Sequence, residues 1–138
     1  MFMFRISQKV IDSILRHSLE DFPHEACGLL IGTGNTILDA RPTTNVALQK
    51  TNRYIIDPFE MIKIEEEVNL EGLDLIGTYH SHPDNSNVLS SVDLESALPN
   101  WLYLLISTDG IRCSFSLWKL HDRGFKRQDF EILSTSGL

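Results

Sequence analysis

A strand that ends in two histidines constrains the fold of this chain more than any other segment. Residues 73–79 have the sequence LDLIGTY, an apolar and aromatic run typical of a buried strand. His80 and His82 follow with one residue between them, and strand side chains alternate between the two faces. We therefore expect both rings on one face. Pro83 should end the strand, because proline cannot donate a hydrogen bond to the sheet.

A carboxylate follows the histidine pair at a short distance, at Asp93. Two histidines and a carboxylate are ligands that Zn²⁺ accepts, and three protein ligands leave a fourth position for water, as in catalytic zinc sites. Simpler interpretations stay open at this point. The histidines could be a solvated pair beside a turn, and Ser90 with Asp93 forms an S-x-x-D capping box for a short helix.

Composition and charge exclude several classes of function. The chain has 138 residues and a formal net charge of −7, and we expect a single domain, 1–138. Without a basic run, this charge argues against a nucleic-acid partner. The first residues, MFMFRISQ, lack the apolar length of a signal peptide, and no apolar run is long enough to span a membrane. We therefore expect no membrane partner and a cytoplasmic location. Cys27 and Cys113 lack metal-type spacing, and we expect both to be packed thiols.

Hydrophobic periodicity and turn residues predict a mixed set of elements. The predicted helices are 7–20, 59–69 and 91–98, and the predicted strands are 26–32, 35–41, 43–48, 53–56, 73–79, 101–107, 111–120 and 125–132. Asp57 should cap the second helix, with Pro58 in its first turn. Asp109-Gly110 predicts a hairpin. Helices interspersed with hairpin strands indicate the α/β (α+β) class, with a mixed sheet sandwiched by helices.

An ordered motif set runs through most of the chain. A glutamate enters an early strand at Glu25, the segment H-S-H-P occupies 80–83, and S-x-x-D spans Ser90 to Asp93. With these residues in this order, the chain resembles the JAMM (MPN-plus) zinc metalloproteases, in particular their small stand-alone prokaryotic type. The flanking segments 23–30, 53–58 and 77–79 also resemble the family pattern. Leu89 departs from the pattern, since relatives often have proline there.

This resemblance implies a fold, a metal and a chemistry. The expected fold is the cytidine-deaminase-like JAMM/MPN fold, although the H-x-E and P-C-x-x-C deaminase signature is absent and nucleobase deamination is not expected. One Zn²⁺ per chain would be held by His80, His82 and Asp93. Glu25 would act as general base and then acid, and Ser90 would donate a hydrogen bond to the oxyanion.

The resemblance also implies a substrate class. Members of the family cut the amide bond after the C-terminal glycine tail of a ubiquitin-like or sulfur-carrier protein. Two alternatives remain open at the level of sequence. The chain could be a non-catalytic MPN-type scaffold or partner-binding module, although scaffold members typically lack some of the metal ligands, or a zinc hydrolase acting on a non-protein amide.

Overall fold

The computed structural model describes residues 3–122 and 124–134, which form an eight-stranded mixed sheet with a long helix against each face. In chain order the elements are β1 (Phe4–Ser7), α1 (Gln8–Asp21), β2 (Cys27–Thr33), β3 (Thr36–Thr43), α2 (Pro58–Leu70), β4 (Asp74–His82), α3 (Ser91–Glu95), β5 (Leu102–Thr108), β6 (Cys113–His121), β7 (Gly124–Gln128) and β8 (Phe130–Leu133). The strand order across the sheet is β7-β6-β5-β4-β2-β3-β1-β8. The expected mixed sheet sandwiched by helices is confirmed.

The sheet is curled. Strands β7 and β8 occupy its two ends, yet Asp129 alone separates them in the chain. Since one residue spans only a few ångströms, the two ends must approach each other. Strand β4 lies in the middle of the sheet, antiparallel to β2 and parallel to β5. The two histidines at its end are therefore held by neighbours on both sides.

Strand β2 is covered on both faces, which explains why its apolar run is unbroken. Leu30 packs with the core under α1, whereas Leu29 and Ile31 pack with Val68 of α2. Successive side chains of a strand face opposite sides, so a strand covered on both faces needs apolar residues at every position. The buried positions of α1, Val10, Ile11 and Ile14, follow the spacing expected for its inward face.

A close contact ties β4 to β2 and α1. Gly28 is the register partner of Tyr79, and a Cβ built on Gly28 would lie 2.3–2.5 Å from atoms of the Tyr79 ring. Only glycine leaves room for the ring at this position. The phenol oxygen of Tyr79 lies 2.6 Å from Nδ1 of His17, whose Nε2 lies 3.1 Å from Asp21. The residue before His80 is thereby anchored to α1.

The structure corrects the predicted strands 43–48 and 53–56. Thr43 is the last residue of β3, and beyond it the described residues of these two segments share one isolated bridge, between Asn45 and Ile56. The Asn45 side chain takes over the pairing: its Nδ2 donates to the carbonyls of Glu25 and Arg53, and its Oδ1 accepts from the amides of Ala47 and Ile55. An asparagine side chain that satisfies the backbone in this way replaces a strand ladder with a compact loop.

Smaller differences have local causes. The predicted helix 91–98 ends at Glu95, and the predicted strand 125–132 divides at Asp129 into β7 and β8. Strand β1 was not predicted, because four residues are too few to show a period. Asp57 caps α2 by accepting from the amide of Phe59 at 2.9 Å, as predicted. Among the described helices, none combines the length and apolar character needed to cross a bilayer.

Candidate metal centre

The two histidine rings meet at the end of β4. Tyr79 packs in the core under α1. His80 and His82 lie one and three residues further along β4, and because successive strand residues face opposite sides, both rings face the other side of the sheet. Both are buried, and their Nε2 atoms lie 3.2 Å apart. Strand β4 ends at His82, immediately before Pro83, as predicted. The interpretation as a solvated pair is wrong.

Asp93 completes the pair from the first turn of α3. Its carboxylate lies 3.3 Å from Nε2 of His80 and 3.1 Å from Nε2 of His82. The capping box is also present: the Ser90 amide donates to Oδ2 of Asp93 at 2.8 Å, and the Asp93 amide donates to Oγ of Ser90 at 3.1 Å. The cap and the contact with the histidines therefore coexist, because the Ser90 amide holds the carboxylate that faces the rings.

Glu25 reaches the same point from the entrance to β2. It is 4% exposed, and its Oε1 has no hydrogen-bond partner among the described residues. Ligand atoms of Glu25, His80 and His82 lie within 4.8 Å of one another, a group that could hold a metal ion. The main chain of Glu25 is fixed at both ends, since its amide donates to the Lys50 carbonyl at 2.7 Å and its carbonyl accepts from Asn45.

The donor spacing fits a small tetrahedral ion. Zn²⁺ binds nitrogen and oxygen at about 2.0–2.1 Å, which in a tetrahedron separates neighbouring ligand atoms by about 3.3 Å. The distances among His80, His82 and Asp93 are 3.1–3.3 Å. Two imidazoles and a carboxylate converge here in a buried place, beside a Glu25 oxygen that has no hydrogen-bond partner within the described part of the chain. These donors suit such an ion. The structure thus contains a site that could bind a metal.

Burial and mutual contact shift the ionisation of these groups. Burial, reinforced by Asp93 and Asp84 and opposed by His82, raises the pKa of Glu25 to about 8. Burial lowers the pKa of His80. For Asp93 burial alone would raise the pKa, but the contacts with His80 and His82 outweigh it and lower the pKa far below the usual range. The centre therefore favours a charged Asp93 beside a neutral His80.

Two supporting contacts were missed from the sequence. The ring of Tyr54 stacks on His80 with centroids 4.4 Å apart and planes at 22°. The carbonyl of Ser86 lies 3.3 Å from Nδ1 of His82. Tyr54 lies in the segment 53–58 that resembles the family, but nothing in that segment predicts that its side chain reaches His80 from the loop between β3 and α2. Ser86 acts through its backbone, which side-chain patterns do not reveal.

The remaining histidines and the cysteines lie outside this cluster. His17 contacts Tyr79 and is mostly buried, while His121 is exposed. Cys27 is a free, buried thiol 3.5 Å from the Thr43 hydroxyl, and burial raises its pKa to about 11. Cys113 is free and partly buried against the core under α1. The expectation of packed thiols is confirmed.

Comparison with known proteins places the chain in a family. The family model described as prokaryotic homologs of the JAB domain matches residues 7–120. A desampylase of Haloferax volcanii is 42% identical over 106 residues, covering 72% of this chain and 76% of the relative. A probable TtuB-protein conjugate cleaving protease of Thermus thermophilus is 29% identical over 78% of this chain and 72% of its own length. A CysO-cysteine peptidase of Mycobacterium tuberculosis is 28% identical over 78% and 75%.

Solved structures agree on the fold. A protein from Desulfitobacterium hafniense superposes with a TM-score of 0.85 at 23% identity, covering 96% of this chain and 94% of that protein. A JAB1/MPN domain protein from Archaeoglobus fulgidus superposes with a TM-score of 0.64 at 18% identity, covering 96% and 99%. The JAMM/MPN fold expected from the motifs is confirmed, and the chain belongs to the prokaryotic homologs of the JAB domain.

Proposed function

We propose that this chain is a zinc-dependent metallopeptidase that hydrolyses the amide bond after the C-terminal glycine tail of a ubiquitin-like or sulfur-carrier protein. The observation that carries the proposal is the convergence of His80, His82 and Asp93 at 3.1–3.3 Å, with buried Glu25 beside them. We further propose that residues 1–138 act as one JAMM/MPN domain. The cytoplasmic location stays a prediction from the sequence.

His80, His82 and Asp93 would hold the ion. A bound Zn²⁺ supplies Lewis acidity and lowers the pKa of water from about 15.7 towards ~7. Glu25 is suited to receive a proton, because its Oε1 is free of partners among the described residues and burial raises its pKa to about 8. A carboxyl group with a pKa near the working pH can accept a proton and later return it to the leaving amine.

Ser90 can cap the helix and still donate a hydrogen bond. Its Oγ accepts from the Asp93 amide, and Ser90 lies at the exposed rim of the centre. A hydroxyl has two acceptor lone pairs and one separate donor. The cap therefore uses an acceptor position and leaves the O–H for the oxyanion that forms during amide hydrolysis. Removing a hydrogen-bond donor of this kind typically lowers kcat by about 10²–10³-fold.

The names of the relatives support a protein-conjugate substrate. They include a desampylase, a probable protein-conjugate cleaving protease and a CysO-cysteine peptidase. A glycine tail suits a buried centre, because glycine allows close backbone approach and has no side chain to exclude. The net charge of −7 favours a partner with basic residues around its tail, an attraction that acts mainly on the association rate.

The test compares two fusions of a ubiquitin-like protein with a C-terminal extension. One retains Gly-Gly before the extension, and the other has both glycines replaced by valine. We expect zinc-dependent cleavage after Gly-Gly, and cleavage of the valine fusion reduced by at least about 10²-fold. Equal cleavage of both fusions, or efficient hydrolysis of unrelated unfolded proteins, would contradict the proposed substrate class. Tight binding of the Gly-Gly fusion without any cleavage, in zinc-loaded protein, would favour the non-catalytic scaffold instead.

A further inference from the structure

A buried hydroxyl lies beside the metal centre on the strand next to β4. Ser107 is 2% exposed and follows the apolar run of β5. It is the register partner of His82 in the parallel pair of β4 and β5. Register partners project from the same face of a sheet, so the serine side chain is the lateral neighbour of the His82 ring.

The two side chains share one acceptor. Oγ of Ser107 donates to the Ser86 carbonyl at 2.7 Å, and Nδ1 of His82 lies 3.3 Å from the same oxygen. A carbonyl oxygen has two lone pairs and can accept both bonds. The Ser107 bond is the shorter, and it comes from the rigid sheet, whereas Ser86 lies in the loop after β4.

That loop has few other fixed points near the carbonyl. Asp84 Oδ1 accepts from the Ser86 amide at 3.0 Å, and the Asn85 amide donates to the His82 carbonyl at 3.1 Å. Both bonds are made within the turn itself, and Oγ of Ser86 donates to the Val88 carbonyl at 3.3 Å within the same loop. Among the bonds seen at Ser86, the one from Ser107 ties the carbonyl to a strand other than β4.

We propose that Ser107 is a positioning residue for the zinc site, which holds the Ser86 carbonyl so that His82 keeps its proton on Nδ1 and presents the Nε2 lone pair to the ion. The proposal rests on the zinc site proposed above. A histidine ligand needs its second nitrogen bonded to fix both tautomer and ring orientation, and loss of such a partner typically weakens metal binding about 10–100-fold.

His82 needs a polar partner on Nδ1 more than His80 does. The His80 ring is fully buried and is stacked on Tyr54, so packing holds it although its Nδ1 has no partner among the described residues. The His82 ring lies nearer the surface, at 5% exposure. A polar anchor on Nδ1 replaces part of the packing that His80 has.

The test is the zinc dissociation constant, measured by chelator competition on wild type, Ser107→Ala and Ser116→Ala. Ser116 is a matched control: a buried serine on neighbouring β6 whose Oγ accepts from Nε1 of Trp118, a residue of its own strand, at 2.8 Å. We expect zinc binding about tenfold weaker for Ser107→Ala, the lower end of the range, because the Ser86 carbonyl itself remains. This should hold whether or not the melting temperature of the zinc-free protein changes, and Ser116→Ala should change zinc binding by less than about twofold. Equal affinity of Ser107→Ala and wild type would overturn the proposal. No zinc binding by wild type would overturn the zinc site itself.

A second measurement needs no variant. In nitrogen-15 spectra of the zinc-loaded wild type, the Nδ1 proton of His82 should be protected from exchange with water, whereas the ring protons of the exposed His121 should not. Exchange of the His82 proton as fast as that of His121 would overturn the proposed hydrogen bond even if Ser107→Ala fails to fold.

Discussion

Replacing Glu25 by glutamine should stabilise the metal-free protein while removing its activity. Burial is the largest cause of the raised pKa of Glu25, which reaches about 8 from 4.5. Because the folded protein holds this proton more tightly than the unfolded chain, stability falls as the pH rises from about 4.5 through about 8. Glutamine is nearly isosteric and carries no charge to desolvate.

The expected gain follows from the size of that shift. At about 1.4 kcal/mol per pKa unit, Glu25→Gln should raise the free energy of unfolding by less than about 1 kcal/mol at pH 5 and by on the order of 4 kcal/mol at pH 8. Urea unfolding of chelated protein at both values measures the difference. Glu20→Gln, on the exposed end of α1, is the control and should change stability by less than about 0.5 kcal/mol.

Two further observations complete this test. With zinc added the gap at pH 8 should shrink, because the ion compensates the Glu25 charge. Turnover of the Gly-Gly fusion should fall by about 10²–10⁴ while zinc is retained. A Glu25→Gln protein that is less stable than wild type at pH 8, or that keeps wild-type turnover, would refute the picture of Glu25 as a buried base whose Oε1 has no hydrogen-bond partner among the described residues.

Other predictions concern the ligands, the cap and the packing beneath them. We expect metal analysis to find one zinc per chain in wild type and none in His80→Ala or His82→Ala, and stoichiometric zinc in the double variant would exclude these ligands. Ser90→Ala should lower the free energy of unfolding by about 1 kcal/mol and turnover by about 10²–10³-fold. A lower melting temperature with unchanged kcat would show that Ser90 caps the helix and has no role in catalysis. Gly28→Ala should cost about 1–3 kcal/mol, since its Cβ would enter the Tyr79 ring. A Cβ at Gly124 would meet no atom of the described residues within 4 Å, so Gly124→Ala should be nearly neutral in thermal melts. Equal melting temperatures for these two glycine variants would contradict the close packing.

The parts of the site predicted from sequence are those set by local geometry. One face for His80 and His82 follows from strand alternation, and the bonds between Ser90 and Asp93 follow from helix capping. Residue types and spacing suggested the meeting of Asp93 with the histidines, and the family resemblance favoured it over a purely structural cap. Spacing alone does not fix how the loop after β4 returns. The stacking of Tyr54 on His80 joins segments with no shared period, so no local rule could supply it.

The errors in the fold have the same origin. The segment around Asn45 has strand-like composition, but one side chain satisfies four backbone groups and removes the need for a ladder. The short strand β1 pairs with β8, and partners so distant in sequence leave no local signal. Strand β2, by contrast, was predicted closely because burial on both faces makes its whole run apolar.

The pairing of β1 with β8 also bears on how the chain matures on the ribosome. Among the described elements, residues 4–7 are synthesised before both of their partners: β3 follows soon after, whereas residues 130–133 come last. Until then β1 presents an open row of amide and carbonyl groups, the kind of edge to which another nascent chain can add. Its brevity limits that risk, because four residues offer few bonds to an intruding strand. Among the described strands, β1 is thus the earliest made, and it gains its second neighbour only when the latest one, β8, has been synthesised.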